Sequence, residues 1–415
     1  MCKYVIIIAV LLLCCCDSPG ATYWISPDGK ASASGSETDP FASAEAALNK
    51  AGGGNTFIFK PGDYIGTQIT LSPEYVGSAD NPTILKSQYK YKAVLHGSVF
   101  HNVYVKSGCK WVIIDGFECS GAKYTGIKTD ADYTVIRNCR IHNNALQGIE
   151  AHSVRGVVIE NTLIEYNGAH PQFSHGVYAD GQDLTIRNNI VRFNSGWGLH
   201  LYPEIAGSKI ENNLIYGNQR WGIGVYSKPR AGANSIVNNT VVLNGNGIAL
   251  KIGRDEVIAN NIVADNTGWQ FEKAEPIAIL DSGDTLKSGT IIDYNLCSPP
   301  LRLGGPHRVF GDPLFLDKAK GTFYLKSGSP AIGSGSKEYA PKRDFFGRPL
   351  RENRPPDLGC FPYDPLLLSS QMRRDWYYQW PFLFRGQADT IPDFWSIPGL
   401  GDSSAGVRKD SSSQP

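Results

Sequence analysis

Six short segments of one design recur through the middle of this 415-residue chain: Val135-Ile136-Arg137-Asn138, Val158-Ile159-Glu160-Asn161, Thr185-Ile186-Arg187-Asn188, Lys209-Ile210-Glu211-Asn212, Ser235-Ile236-Val237-Asn238 and Val257-Ile258-Ala259-Asn260. Their asparagines stand 23, 27, 24, 26 and 22 residues apart. A second column, Asn143, Asn167, Asn194, Asn218, Asn244 and Asn266, keeps nearly the same step, and a third opens each time on Gly plus an aliphatic residue, at Gly126, Gly148, Gly176, Gly198, Gly222 and Gly247. Three short alternating segments per repeat, divided by turn residues, make a coil that cannot bury its apolar face alone and must stack on its neighbours. The expected fold is all-β, a parallel solenoid of about ten coils of about 24 residues. Asn suits the corners because it tolerates the left-handed backbone, and its amide can bond to the Asn one coil above. A leucine-rich repeat shares the period but needs an L-x-x-L-x-L face that is absent.

Composition agrees with this and removes other classes. Gly is 45 of 415 residues and charged residues are only 19%, which excludes a long-helix protein or a disordered polyelectrolyte. Lys+Arg 40 against Asp+Glu 39 leaves a net charge of +1, so no global field gathers nucleic acid. Residues 1–21 read as an export signal, with Lys3 followed by the apolar run Tyr4 to Leu13, too short to span a bilayer. Cleavage falls either near Ala21 or before Cys16 in the manner of a lipoprotein. The chain is therefore expected in the periplasm or outside the cell, with no membrane contact beyond a lipid anchor. The five cysteines that remain, Cys109, Cys119, Cys139, Cys297 and Cys360, have no metal-ligand spacing and read as buried thiols.

On these columns the sequence resembles the right-handed parallel β-helix proteins of the pectate-lyase-like superfamily, mostly secreted polysaccharide lyases, glycoside hydrolases and epimerases. The ends add to the resemblance. Tyr23 to Gly29, the helix-like Ala42 to Ala51 and Phe57 to Tyr64 are similar to the helical cap and first coil of bacterial members. Asp312-Pro313-Leu314-Phe315, Ser329 to Gly333 and Asp344 to Arg348 are similar to their closing segment. The expected division is a cap with first coils over 22–93, the helix core over 94–300, terminal coils with the closing segment over 301–363, and an aromatic segment with a Gly/Ser tail over 364–415.

The outward columns carry the candidate chemistry. If Ile127, Ile149, Val177 and Leu199 face the core, one outward column reads Lys128, Glu150, Tyr178, His200, Gly224, Ala249 and the next reads Asp130, His152, Asp180, Tyr202, Tyr226, Lys251. Neighbours in a column lie about 4.8 Å apart and the columns about 6–7 Å apart, so these residues form one patch. The longest coil, between Gly148 and Gly176, carries its excess in Ala169 to His175 and brings His170 and His175 beside it. Trp197 and Trp221, with Tyr202 and Tyr226, offer rings for the faces of sugars, or else cover turns.

Three reactions suit such a patch. β-Elimination on a uronic-acid polymer needs a base and a group that neutralises the sugar carboxylate. His200 or Tyr178 would be the base, Lys128, His152, His175 or His170 the donors, and Asp180 would orient a histidine; Tyr178 would otherwise protonate the leaving oxygen. Epimerisation shares the first step, but Tyr178-Ala179-Asp180-Gly181-Gln182 departs from the epimerase signature. Hydrolysis would use Glu150 with Asp180 as a spaced carboxylate pair. The resemblance also admits Ca²⁺, with Asp130, Asp132, Asp180 and Asp183 as conceivable ligands. Lys251 and Lys273 are a second possible lysine site or simply solvate the lower coils. The leading expectation is a monomeric polysaccharide lyase; the contrasting class is a non-catalytic carbohydrate-binding surface protein.

Overall fold

The computed structural model describes residues 20–365 apart from 171–172, 228–231, 252–253, 268–278, 282–288 and 299–304. The leader up to residue 19, Lys273 and the aromatic tail from residue 366 lie outside the described residues.

Each coil contributes one strand to each of three parallel sheets of eleven, ten and nine strands, so nine coils are complete among the described residues rather than about ten. A representative coil is Val158–Glu160, Leu163–Glu165 and Val177–Gln182. The inward residues form columns of nearly solvent-free aliphatic side chains: Ile136, Ile159, Ile186, Ile210 and Ile236 in the first sheet, Ile141, Ile164, Val191 and Ile215 in the second, Ile149, Val177, Leu199 and Ile223 in the third. The first end is closed by the helix Ala44–Ala51, which Ser43 starts by accepting the Ala46 N–H at 3.1 Å. Its buried Ala44, Ala47 and Leu48 cover the open core.

The asparagine columns divide their labour. Asn138, Asn161, Asn188, Asn212, Asn238 and Asn260 all take φ between 51° and 59°, the left-handed corner. From Asn188 onward the ladder is made by the residue after the corner; Cys139 and Thr162 hold that place in the two coils before. Asn189, Asn213, Asn239, Asn261 and Asn295 pass hydrogen bonds from Nδ2 to the next Oδ1 at 2.9–3.1 Å. At the second corner the ladder runs Asn144, Asn167, Asn194, Asn218, Asn244, Asn266, also at 2.9–3.2 Å. Asn143, expected in that column, sits one residue early and holds the left-handed turn at φ 53°. The glycine column has a different reason from backbone freedom. A Cβ on Gly148 would lie 2.8 Å from Asn167 Nδ2 and 2.6 Å from Ile164 Cγ2, so the ladder itself demands glycine there.

The closing segment does not stack as further coils. It runs back along the outside of the second sheet, where Phe315, Phe323, Leu325, Phe345, Leu358 and Phe361 pack on Leu163, Ile190, Leu214, Val242 and Ile262. Those strands are consequently buried on both faces, and corner asparagines hold the segment, as in Asn212 Nδ2 to the Arg343 carbonyl at 2.8 Å. The five cysteines are buried and free.

Truncating one rung tests the ladder. Asn213→Ala takes the Asn213 partner from the Asn189 N–H, from one of the two Asn189 Nδ2 hydrogens and from the Ile186 carbonyl, all bonded at 2.8–3.1 Å, and leaves Asn189 Nδ2 only its bond to the Ile159 carbonyl. We expect a loss of about 2–3 kcal/mol by denaturant unfolding, the cost of buried groups left without partners.

Candidate functional site

The patch lies on the outward face of the third sheet. Register pairs Lys128 with Glu150, Glu150 with Tyr178, Tyr178 with His200, His200 with Gly224 and Gly224 with Ala249, the first column as its spacing predicts. The second column is interrupted. The strand Ile149–Arg155 shifts register between Ala151 and Val154, and Leu199–Ala206 inserts residues between Leu201 and Ile205 opposite Asp180. His152 and Tyr202 therefore stand on bulges, which re-aim side chains at a sheet surface. Tyr226 and Lys251 return to plain register, with Lys251 Nζ 5.7 Å from the Tyr226 ring.

Asp180 is 6% exposed and takes His152 Nδ1 at 2.5 Å and Ser153 Oγ at 3.4 Å. The carboxylate thus fixes the imidazole with its hydrogen on Nδ1 and its lone pair on Nε2. The His152 side chain is 53% exposed, so that lone pair faces solvent. Beside it the Tyr178 hydroxyl has no hydrogen-bond partner among the described residues. Burial, followed by the Asp180 charge, pushes the Tyr178 phenol above its ordinary value, which keeps it a proton donor.

Buried His175 and half-buried His200 make a fixed relay. The Trp197 N–H donates to His175 Nδ1 at 3.1 Å, so the His175 hydrogen lies on Nε2, which meets His200 Nδ1 at 3.1 Å. His200 is left carrying its own hydrogen on Nε2. This corrects the expected role: His200 presents a donor at its outer edge, and its one lone pair is occupied by His175. Burial pulls His175 down to about 2, with help from His200 and Arg220, and His200 down to about 4, with help from Arg220. Both rings are neutral at ordinary pH.

The aromatic residues build a wall around this pair. Trp197 stacks on His200 at 4.5 Å and Tyr202 covers the other side at 5.5 Å. Trp197 is only 6% exposed, a floor under His200 rather than an open sugar platform. Gly224 is explained by it, since a Cβ there would stand 2.0 Å from the indole. Trp221 stacks behind at 5.9 Å, while Tyr202, 43% exposed, and Tyr226 meet edge to face at 5.4 Å. His170 sits on the exposed loop with its ring 5.5 Å from Phe173, and among the described residues no side-chain contact joins it to the relay.

Glu150 is bound by Lys128 and by Thr125 Oγ1 at 3.0 Å. Lys128 also stands 3.6 Å from Asp130, which accepts the Tyr104 hydroxyl at 2.7 Å. Glu150 and Asp180 are both committed as acceptors, an arrangement that leaves neither free to lend a proton to a leaving sugar. The conceivable calcium ligands do not fit that ion. Asp130 faces an ammonium, Asp180 an imidazole, Asp132 the Arg155 N–H at 2.8 Å and exposed Asp183 the Arg155 guanidinium at 3.9 Å, and no group of three or more metal-ligating side chains forms among the described residues.

Against known proteins, a family model described as "Right handed beta helix region" matches residues 92–241. A solved pectate lyase, Pel9A, superposes with TM-score 0.57 at 17% identity over 84% of this chain and 97% of that one. The fold is a right-handed parallel β-helix. An alginate lyase from Paenibacillus sp. str. FPU-7 has TM-score 0.48 at 17% identity, covering 66% of this chain and 94% of that one, and a rhamnogalacturonan lyase 0.42 at 15%, covering 72% and 92%. No curated protein matches the sequence.

Two contributors to the β-helix site escape sequence reasoning. Gln147 pins the long loop, accepting the His175 N–H at 2.5 Å and donating to the Phe173 carbonyl at 2.8 Å. Arg220 lies 5.9 Å from the Trp197 ring and is the charge that helps hold both histidines neutral. Gln147 precedes a column glycine, which is a weak signal; Arg220 has none.

The relay has a consequence for stability. Between pH 6.5, the ordinary imidazole value, and about 4, the unfolded chain takes up protons that folded His175 and His200 refuse. Stability is therefore complete above pH 6.5 and falls as pH drops. Urea unfolding at pH 7.5 and 4.5 should show His175→Gln/His200→Gln losing less over that interval than the unaltered protein, by about 5 kcal/mol for the two groups together.

Proposed function

We propose that this β-helix cleaves a uronic-acid-containing polysaccharide by β-elimination, with His152 as the base. The observation that carries the reading is the buried Asp180 holding the exposed His152 imidazole through Nδ1 at 2.5 Å, on the sheet face that also carries the Tyr178 phenol and, 5.4 Å from that ring, His200. The proton beside the sugar carboxylate is weakly acidic. It becomes removable when donors take up the charge that develops on the carboxylate oxygens. His152 Nε2 accepts that proton, His200 Nε2–H donates to the carboxylate, and Tyr178 gives its hydroxyl proton to the departing glycosidic oxygen as the C–O bond breaks. Asp180 stabilises the imidazolium that forms. Sugar rings on either side rest on the exposed edges of Tyr202 and Tyr226. The low-identity likeness to solved lyases agrees with this reading through the fold alone.

On the reading of residues 1–21 as an export signal, we propose that the reaction takes place outside the cytoplasm, with the chain released at Ala21 or lipid-anchored at Cys16. A monomer suffices, since every group invoked comes from one chain. A non-catalytic binding protein has no need of the Asp180–His152 pair.

Purified protein mixed with alginate, pectate and glycosaminoglycans should generate the ultraviolet absorbance of an unsaturated uronate with at least one of them. His152→Gln and Asp180→Asn should each lower kcat by about 10²–10⁴ while leaving binding within a few-fold. Reducing ends released without new absorbance would make the protein a hydrolase and sink the proposal. So would full activity in His152→Gln.

A further inference from the structure

A second polar cleft opens on a different face of the β-helix, between the first sheet and the closing segment, with a volume of about 1130 Å³. Its wall is three consecutive coils, presenting Glu160, Arg187 and Glu211 as one outward column. The opposite wall is the turn of residues 339–348. The candidate site lies on the third sheet, so the two are separate surfaces.

The charges in this cleft are unevenly satisfied. Glu160 is taken by Arg187 at 2.7 Å, and Arg348 by Asp344 at 2.8 Å and Asp364 at 3.1 Å. Among the described residues Lys209 and Lys342 form no close ion pair, although the Lys209 charge, like that of Arg187, acts on Glu211, and Arg343 bonds only the Gly347 carbonyl, at 2.6 Å. Glu211 is half-buried on the floor and its carboxylate accepts no hydrogen bond from any described residue. Three cations remain against one carboxylate in a chain whose overall charge is +1. Phe346 and Tyr339 add ring surface at the rim.

We infer that this cleft is a binding site for an acidic oligosaccharide, with Lys209, Lys342 and Arg343 receiving its carboxylates and Glu211 receiving its hydroxyls. A simple anion would use the cations and leave Glu211 opposed to it. A neutral glycan would use Glu211 and leave the cations idle. A sugar acid uses both, and the volume admits several rings. The inference does not require the cleavage proposed above, because no residue is shared.

Hydrogen exchange of the full chain tests it, in the presence of a galacturonate oligomer, a neutral galactose oligomer or inorganic phosphate. The acidic oligomer is expected to protect residues 339–348 and 209–212 from exchange, and added salt is expected to weaken that protection. Lys209→Ala/Arg343→Ala should weaken it at least about tenfold, the scale of a lost charge-assisted contact. Lys209→Glu alone, at an exposed strand position, should weaken it similarly without touching the turn. His152→Gln should leave it intact, so failure of cleavage and failure of this inference are read separately. Absence of protection, equal protection by the neutral oligomer or by phosphate, or protection that survives both Lys209 variants overturns the inference.

Discussion

The asparagine ladders are the constraint from which the rest follows. In a parallel stack the main-chain hydrogen bonds fix the distance between coils, but a coil could still slide by a residue without losing many of them. A slip of one residue would turn every side chain to the other face. The buried amides remove that freedom, because each Asn must place Oδ1 under the Nδ2 and the N–H of the Asn before it, as Asn239 does for Asn213 at 3.0 Å from both donors. Once two corners of the coil are locked this way, outward residues from coils 22 to 28 residues long still fall into straight columns. The candidate site is a product of that alignment. Extra residues are accommodated only between ladder positions, which is where the loop that carries His175 is found.

This explains what could be read in the sequence and what could not. The column Lys128, Glu150, Tyr178, His200, Gly224, Ala249 was legible because it needs only the period and the strand alternation. Paired asparagines blurred the ladder by one residue, since Asn143 and Asn144 are chemically alike and only φ separates the corner from the rung. The bulges at His152 and Tyr202 depend on how many residues must be absorbed before the next rung, a property of neighbouring coils together. The direction of the histidine relay was invisible. It is set by one backbone N–H, that of Trp197, whose aim depends on the turn and not on the residue's identity. The backward path of the closing segment did leave a trace. Leu163, Ile190 and Leu214 are apolar at outward positions, a break in alternation that marks a sheet covered on both faces.

The electrostatics of the site turn on separation. The ion pair of Lys128 with Glu150 occupies one end of the first column, and Arg220 and Lys251 stand toward the other. Between them lies a stretch whose groups, Tyr178, His175 and His200, are held neutral by burial. A carboxylate arriving there meets donors that carry no charge.

On the proposed reaction that neutrality is what gives the donors their use. A cation would bind the ground-state carboxylate as firmly as the more highly charged intermediate, lowering KM without speeding the chemical step. A neutral N–H in a dry wall gains most as charge grows on the oxygen it faces, and its orientation is already fixed by the relay, so no reorganisation is needed when the proton leaves. Trp197, Gly224 and the Trp197 N–H then act together. The indole fills the space that glycine vacates, excludes water from under His200, and brings its own backbone donor to the ring that sets the tautomer. A residue read from sequence as a sugar platform thus serves the site from beneath, through packing and through its main chain.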